Sequence, residues 1–205
     1  MFGTRESGPH TEAVCPRQVH GASVAMLDAH GRLDLPEADA VVCSSPGLRI
    51  GVVTADCVPI LAALGSGRVV AAIHAGWRGL AAGVVERGVG VLLTDQKADE
   101  ERVAVIGPHI GPCCYEVDAP VVEALAARYG DLVEGASRFS RPGHVWLDLG
   151  ELVAAALHAA GFQAARIGRV PSSCTSCYGA RYHSFRRDGE RSGRMLHHIA
   201  ARGPA

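Results

Sequence analysis

The feature that most constrains this chain is the stretch TADCVPILAALGSGRVVAAIHAGWRG, residues 54–79. Two short apolar runs, 58–64 and 68–74, are separated only by Gly65, Ser66 and Gly67. Runs of this length and composition read as strands, and Gly-Ser at the centre of a two-residue loop suits a type II′ hairpin turn. That turn pairs Leu64 with Gly67, and counting outward from the pair puts Cys57 opposite His74. Directly opposed residues share a face, with β-carbons about 4.5–5.5 Å apart. A slip of one residue would send them to opposite faces. The turn therefore predicts a thiol and an imidazole side by side at the open end of a hairpin.

The remaining pattern sets that hairpin in a layered chain. Short β-type runs also occur at 49–53, 102–106, 145–147 and 166–170, alternating with three helical patterns. The first helix is expected after Gly79, through 80–93, weakened by Gly83, Gly88 and Gly90. The second follows Asp118, with Pro120 in its first turn and Gly130 as its stop. The third begins at a capping box, Asp148 with Glu151 three residues on, and ends at Gly161. Strands interleaved with helices predict an α/β protein of packed layers. A chain of 205 residues with 48% hydrophobic content reads as one domain, residues 1–205. The ends, 1–9 and 202–205, read as loose.

Twenty Lys and Arg stand against 21 Asp and Glu, a net charge of -1, so no global field draws the chain to nucleic acid or an anionic membrane. Any anion site must be local. The opening MFGTRESGPH has no apolar core of signal-peptide length, and the longest apolar stretch, 47–64, is interrupted by Arg49 and Asp56. Seven cysteines, an odd number, do not suggest a disulfide framework in a chain of this size. A cytoplasmic protein with reduced or metal-bound thiols is expected.

Thiolate beside imidazole is a transition-metal donor pair, and a catalytic zinc takes three protein ligands with one position open. The ordinary alternative is a buried thiol packed as a small hydrophobe near a hydrogen-bonded histidine. A third ligand must come from elsewhere. His20 in RQVHGASV and His109 in IGPHIGPCCYEV both sit in glycine-bounded turns at strand ends, and spacing does not choose between them. Asp56 beside the thiol is a candidate acid or base, or simply a structural carboxylate. Arg78 follows His74 at a helix start, where backbone N–H groups favour an anion, and is the first candidate for a phosphate clamp. The tract RYHSFRRDGERSGR, 181–194, reads by pattern as a solvated loop. Cys113-Cys114 and Cys174-x-x-Cys177 read as buried thiols, because one isolated pair is a weak zinc pattern and adjacent cysteines do not readily chelate one ion.

QVHG at 18–21, ADA at 38–40, TADCVPIL at 54–61, HAGWRG at 74–79, GPHIGPCCYEV at 107–117 and SFRRDGERSGR at 184–194 together resemble one family, in order. It is the laccase-domain, or polyphenol-oxidase-like, family, and the resemblance spans residues 17–199. It implies two mixed sheets sandwiched between helices, an α/β/β/α arrangement. It implies zinc on His20, Cys57 and His74. The activity it implies is that of a multifunctional purine nucleoside phosphorylase and adenosine deaminase, acting on adenosine, inosine and methylthioadenosine. It also makes Arg186 and Arg187 site-lining residues. With Asp56, the three metal ligands form the expected catalytic group. Two departures stand out: the family's longer N-terminal region is represented only by FGTRESG, and its aromatic pair before the Ser-x-Arg-Arg motif is Tyr182-His183 here.

A three-ligand zinc makes a water-derived nucleophile available at neutral pH, which suits attack on the purine carbon bearing the amino group. Phosphorolysis instead needs arginine donors for phosphate and a proton for the departing base. Copper also takes a His2Cys donor set, but the trinuclear cluster of copper oxidases uses His-x-His pairs and the sequence has none. Phenol oxidation is therefore expected to be absent or incidental. Further readings are a Cys57 nucleophile activated by His74, as in Cys-His hydrolases and deamidases, a closed structural zinc module with four ligands, and the peptidoglycan-editing role ascribed to some family members. The expected partners are a purine nucleoside and phosphate, with neither nucleic acid nor membrane; the oligomeric state does not follow.

Overall fold

The hairpin lies at the centre of the fold, though its turn differs from the expected one. The structure, a computed structural model, describes residues 1–7, 13–28, 30–94 and 100–203. In chain order the elements begin with β1 (Ala13–Val14), β2 (Val24–Leu27), β3 (Ala40–Cys43), β4 (Arg49–Thr54), β5 (Val58–Leu64) and β6 (Val69–Ala75). Helices α1 (Trp77–Ala82) and α2 (Val84–Leu92) follow, then β7 (Arg102–Ile106), β8 (Glu116–Asp118), α3 (Ala119–Tyr129) and α4 (Leu132–Gly135). The chain continues through β9 (Ser137–Arg141), β10 (His144–Leu147), α5 (Leu149–Ala159), β11 (Ile167–Arg169), α6 (Phe185–Asp188) and β12 (Met195–Ala200).

Six strands form a mixed sheet in the order β11-β7-β5-β6-β3-β2, parallel at its two outermost pairs and antiparallel between. β4 runs between β1 and β12 in a three-stranded sheet, and β10 between β8 and β9 in another. Alternation along β5 and β6 divides their side chains between two cores. Ile60, Ala62, Leu64, Ala71 and Ile73 join Val85 and Val89 of α2 and Leu152 and Val153 of α5. Leu61, Val70 and Ala72 meet Ile50 and Val52 of β4. Burial on both faces explains why the hairpin strands read as continuous apolar runs rather than alternating ones. The architecture is the expected α/β class with mixed sheets, and β packs on β where the two sheets meet.

At the hairpin tip, 65–67 form a 3-10 turn with Gly65 and Gly67 at φ +45° and +89°. The Arg68 N–H bonds the Gly65 carbonyl at 3.3 Å. The loop is therefore two residues longer than a type II′ turn: Leu64 pairs with Val69, and Pro59 rather than Cys57 lies opposite His74. Because side chains alternate with period two, a shift of two preserves the face. Cys57 remains on the His74 side, one diagonal step beyond the ladder.

Two other expectations are corrected. The helix expected over 80–93 starts earlier, at Trp77, and is broken at Gly83, whose φ of +83° ends α1 and opens α2. A left-handed residue cannot continue a helix, and glycine adopts that conformation without penalty. The N-terminal end is tied down rather than loose: the Met1 amino group donates to the His198 carbonyl at 2.6 Å, and the His198 N–H returns a bond to Met1 O at 2.9 Å. At the other end Arg202 N–H bonds Gly67 O at 2.8 Å; positions 8–9 and 204–205 lie outside the described residues. The helices after Asp118 and Asp148 form as expected, the latter with Asp148 Oδ1 accepting from Glu151 N–H at 3.1 Å. Among the described residues no helix is long and apolar enough to cross a membrane.

Candidate metal centre and its cavity

The site is assembled around one buried carboxylate, Asp39, just before β3. Its Oδ1 accepts from His20 N–H (2.9 Å) and the His74 ring at Nδ1 (2.8 Å), and its Oδ2 from Val19 N–H (3.2 Å) and Gly21 N–H (2.7 Å). Three successive N–H groups converging on an anion form a nest. Such a grip is needed because His20 sits at φ +59°, a conformation that costs a non-glycine residue on the order of 1–3 kcal/mol. Gln18 secures the same loop from the other side, donating to Val53 O (2.8 Å) and accepting from Val53 N–H (2.7 Å). Burial would raise Asp39, but the His74 hydrogen bond and the Gly21 N–H outweigh it and hold the carboxyl below its ordinary range.

His74, near the end of β6, is buried, and its Nδ1 is committed to Asp39, which leaves Nε2 to face the cluster. The His20 and His74 rings meet edge to face, 4.9 Å between centroids. One ligand atom from each of His20, Cys57 and His74 lies within 4.8 Å of the others. Burial would push the Cys57 thiol up, yet hydrogen bonds with His20 and His74, and their charge, bring it down to about 6. Burial would lower His74, and its bonds to Asp39 and Cys57 raise it to about 9. Thiolate and imidazole are the donors that zinc or copper takes, and a carboxylate on the far nitrogen of a ligating histidine is the usual outer-shell partner. On this chemistry the three residues fit a metal ion.

The glycines of HAGWRG keep this region close-packed. A β-carbon on Gly76 would stand 2.9 Å from Cys57 Sγ and 3.3 Å from His20 Cδ2, and one on Gly79 would meet the Gly21 carbonyl oxygen at 2.9 Å. Both positions exclude a side chain because the QVHG loop and the thiol occupy its space.

The cluster opens into a cavity of about 550 Å³, whose lining includes Thr54, Asp56, Tyr115, Phe185, Arg186 and Arg194. Asp56 accepts from Thr175 Oγ1 at 2.5 Å and from Arg186 N–H at 2.7 Å, so its carboxylate ties two loops to the start of α6 while lining the cavity. The Arg186 guanidinium lies over the Tyr115 ring, 5.1 Å from its centroid, and donates to Glu116 O at 3.0 Å. Burial, with the Cys57 charge, pushes the Tyr115 phenol up to about 12; it keeps its proton at neutral pH and can donate it in a hydrogen bond.

Two arginines fall elsewhere than expected. Arg78 is exposed at the rim, stacked on Trp77 with its guanidinium 4.4 Å from the ring centroid, and is not among the residues lining the cavity. Arg187 is a strut: its Nε and Nη2 bond both Asp188 oxygens, Nη1 donates to Thr175 O and Ser176 O, and Nη2 also to Tyr182 O. All five guanidinium donors thus have protein acceptors, leaving none for a ligand. His109, the other histidine left open by spacing, lies apart, with Nδ1 bonded to Gly107 O at 2.8 Å and Nε2 close above Gly150. Cys113, Cys114, Cys174 and Cys177 are not scattered buried thiols: they gather in one cluster, Cys113 and Cys177 exposed.

Sequence reasoning gave no role to Asp39 or Tyr115, although both stand inside quoted motifs, ADA and GPHIGPCCYEV. A lone buried carboxylate has no spacing pattern, so only its position in ADA could have drawn attention to it.

Fold and site together define an α/β protein with a candidate His-Cys-His metal centre in the lining of a cavity. The family described as "Multi-copper polyphenol oxidoreductase laccase" matches residues 4–202, and the chain belongs to it. It is similar to the purine nucleoside phosphorylase YlmD of Geobacillus stearothermophilus, 37% identical over 198 residues, covering 92% of this chain and 72% of the relative. It is also similar to the adenosine deaminase RL5 of an unknown prokaryotic organism, 38% identical over 195 residues, covering 90% and 73%. Among solved structures, the hypothetical protein YfiH of Bacillus licheniformis superposes with a TM-score of 0.85 at 29% identity, covering 93% of this chain and 74% of that one.

Proposed function

We propose that the protein is a zinc-dependent purine nucleoside phosphorylase, acting on adenosine, inosine and methylthioadenosine, with a secondary adenosine deaminase activity. The observation that carries this reading is the joint placement of the His20, Cys57 and His74 cluster and Arg186 on one cavity large enough for a nucleoside. The names of the relatives support the same reaction class. His20, Cys57 and His74 would hold the zinc, and when bound it would supply a Lewis acid with a position open to water or substrate.

The chain's own residues do the rest. Arg186 and Arg194, both on the cavity wall, hold phosphate beside the sugar's anomeric carbon; Arg78 on the rim adds long-range attraction for the incoming anion. Tyr115, protonated at neutral pH, donates a hydrogen bond to the base as negative charge builds on it. Asp56 acts as an acceptor for the base or ribose and as the clasp that orients Arg186. Its role in proton transfer is part of the proposal. A reducing cytoplasm suits the seven free thiols.

The test incubates zinc-quantified protein with adenosine, with and without phosphate, and separates the products by chromatography. Phosphate-dependent adenine with a minor inosine peak is the expected result. Inosine alone makes the protein a deaminase, and no product from metal-replete protein overturns the reading. A metal-free protein that turns over amides through a rapidly alkylated Cys57 would favour the Cys-His hydrolase instead.

A further inference from the structure

We propose that Cys113, Cys114, Cys174 and Cys177 form a second, structural zinc site that clamps the turn after β7 to the turn before α6, behind the nucleoside cavity. One sulfur from each lies within 4.8 Å of the others. Three separations are 3.4–3.5 Å: Cys113 to Cys174, Cys113 to Cys177, and Cys114 to Cys177. A disulfide would need about 2.05 Å, whereas four sulfurs at about 2.3 Å from a tetrahedral zinc stand about 3.8 Å apart. The four thiols are free and spaced for an ion.

The objection that neighbouring cysteines cannot share one ion applies to extended chain, where successive side chains point to opposite faces. Cys113 and Cys114 instead lie in a tight turn in which the Cys114 and Tyr115 N–H groups both bond Gly111 O at 3.0 Å. In a helical turn successive side chains diverge by about 100° rather than 180°, and here both sulfurs come within 3.4 Å of Cys177 Sγ. The opposite pair has the spacing of a zinc knuckle, C-x2-C. His109 and Cys174 form a parallel bridge that aligns the two turns, and the Gly111 N–H reaches Cys174 Sγ at 3.4 Å. An N–H aimed at sulfur is a donor placed for thiolate.

Binding Zn²⁺ displaces four thiol protons to solvent and leaves the site with a net charge of about -2. The Arg187 guanidinium, paired with Asp188, is hydrogen-bonded to the Thr175 and Ser176 carbonyls between the two knuckle cysteines and braces that turn. Four protein ligands close the coordination sphere, which marks a structural rather than a catalytic site. The clamp's consequence lies in what its two turns carry. Tyr115 follows Cys114 directly, and Thr175, between Cys174 and Cys177, holds Asp56.

The proposal is independent of the reading given to His20, Cys57 and His74, and one experiment separates the two. Full-length protein is produced with added zinc, stripped of loosely bound metal, and its zinc per chain is measured by elemental analysis and native mass spectrometry. The wild type is expected to carry two zinc ions, Cys57→Ser one, and Cys113→Ser/Cys177→Ser one. One zinc retained in Cys57→Ser, and one fewer zinc in the double variant than in the wild type, support the clamp whatever becomes of the nucleoside activity. Equal zinc in the wild type and double variant overturns it, and so does a native mass lowered by the hydrogens of a disulfide. Should the double variant not fold, alkylation of the wild type decides. With zinc, Cys113 and Cys177, though exposed, are labelled at least tenfold more slowly than after chelation; equal labelling overturns the proposal.

Discussion

Asp39→Asn should separate the clasp that builds the metal centre from the ligands themselves. The carboxylate takes two donors on each oxygen, His20 N–H and His74 Nδ1 on one, Val19 and Gly21 N–H on the other. Asparagine keeps a single oxygen. Whichever way it flips, its NH2 group confronts two donors, and two charge-assisted bonds are lost. At about 1.5–3 kcal/mol for each such bond, the loss is about 3 kcal/mol or more, or roughly 6–12 °C in melting temperature for a chain of this size. His20 then loses the grip that holds its left-handed backbone, and His74 loses its outer-shell acceptor. Zinc affinity should fall about 10–100-fold. Chelator competition gives the affinity, and thermal melting of metal-free protein gives the stability. If melting drops as expected while zinc affinity stays within threefold of wild type, Asp39 is only a loop clasp and the link from carboxylate to metal is wrong.

Gly76→Ala drives a β-carbon to 2.9 Å from Cys57 Sγ and should weaken zinc binding at least tenfold by the same competition assay, with a stability loss of about 1–3 kcal/mol from overpacking; unchanged affinity would show that the sulfur can move freely. Arg186→Ala should raise KM for phosphate about tenfold or more while leaving both zinc and overall melting nearly intact; a change confined to kcat would remove Arg186 from phosphate binding. Buried His197 is held neutral between Gly3 N–H (3.3 Å) and Thr54 Oγ1 (2.8 Å), and burial, with the positive charge of the N-terminus, lowers it to about 3. Its folded pKa is depressed below the ordinary 6.5, so the unfolded chain binds the extra proton, and stability falls as pH drops from 6.5 towards 3, by about 2 kcal/mol at pH 5. Denaturant titrations at pH 7 and 5 should show that loss in wild type and a clearly smaller one in His197→Gln.

How much of this was legible in the sequence depended on whether a signal was local. The helices after Asp118 and Asp148 could be read because their first turns, with Pro120 in one and Glu151 in the other, carry chemical punctuation. β3, AVVC, is wholly buried and too short to show a period, and β12, MLHHIA, hides His197 and His198 in a strand that polarity would assign to a loop. The break at Gly83 was visible as a weakness but not as a left-handed kink, because its packing against Arg128 is long-range. Cys57 and His74 do not pair, yet they stay on one face despite the wrong turn type, because the register moved by two and only parity mattered. The cysteine cluster did not survive, since the convergence of 113–114 and 174–177 depends on two turns brought together by a bridge between distant strands.

The description of the family as multi-copper enzymes and the zinc proposed for this chain make different demands on the donors. A copper oxidase needs one site to accept an electron from a phenol and several imidazole-bound coppers to pass electrons to oxygen. Among the described residues two groups could hold metal, one with two histidines and a cysteine, the other with four cysteines and no imidazole. The second is closed and soft, suited to structural zinc. The first has a single thiolate and a histidine stiffened by a carboxylate, an arrangement that raises ligand basicity; under the proposed function it would hold a Lewis acid. It faces a cavity with Asp56 and Arg186 on its wall, polar chemistry that electron transfer does not require and that anchoring a sugar and a phosphate does. The same parity that puts Cys57 and His74 on one face also brings both onto the wall of this cavity, where the proposed nucleoside and phosphate would meet them.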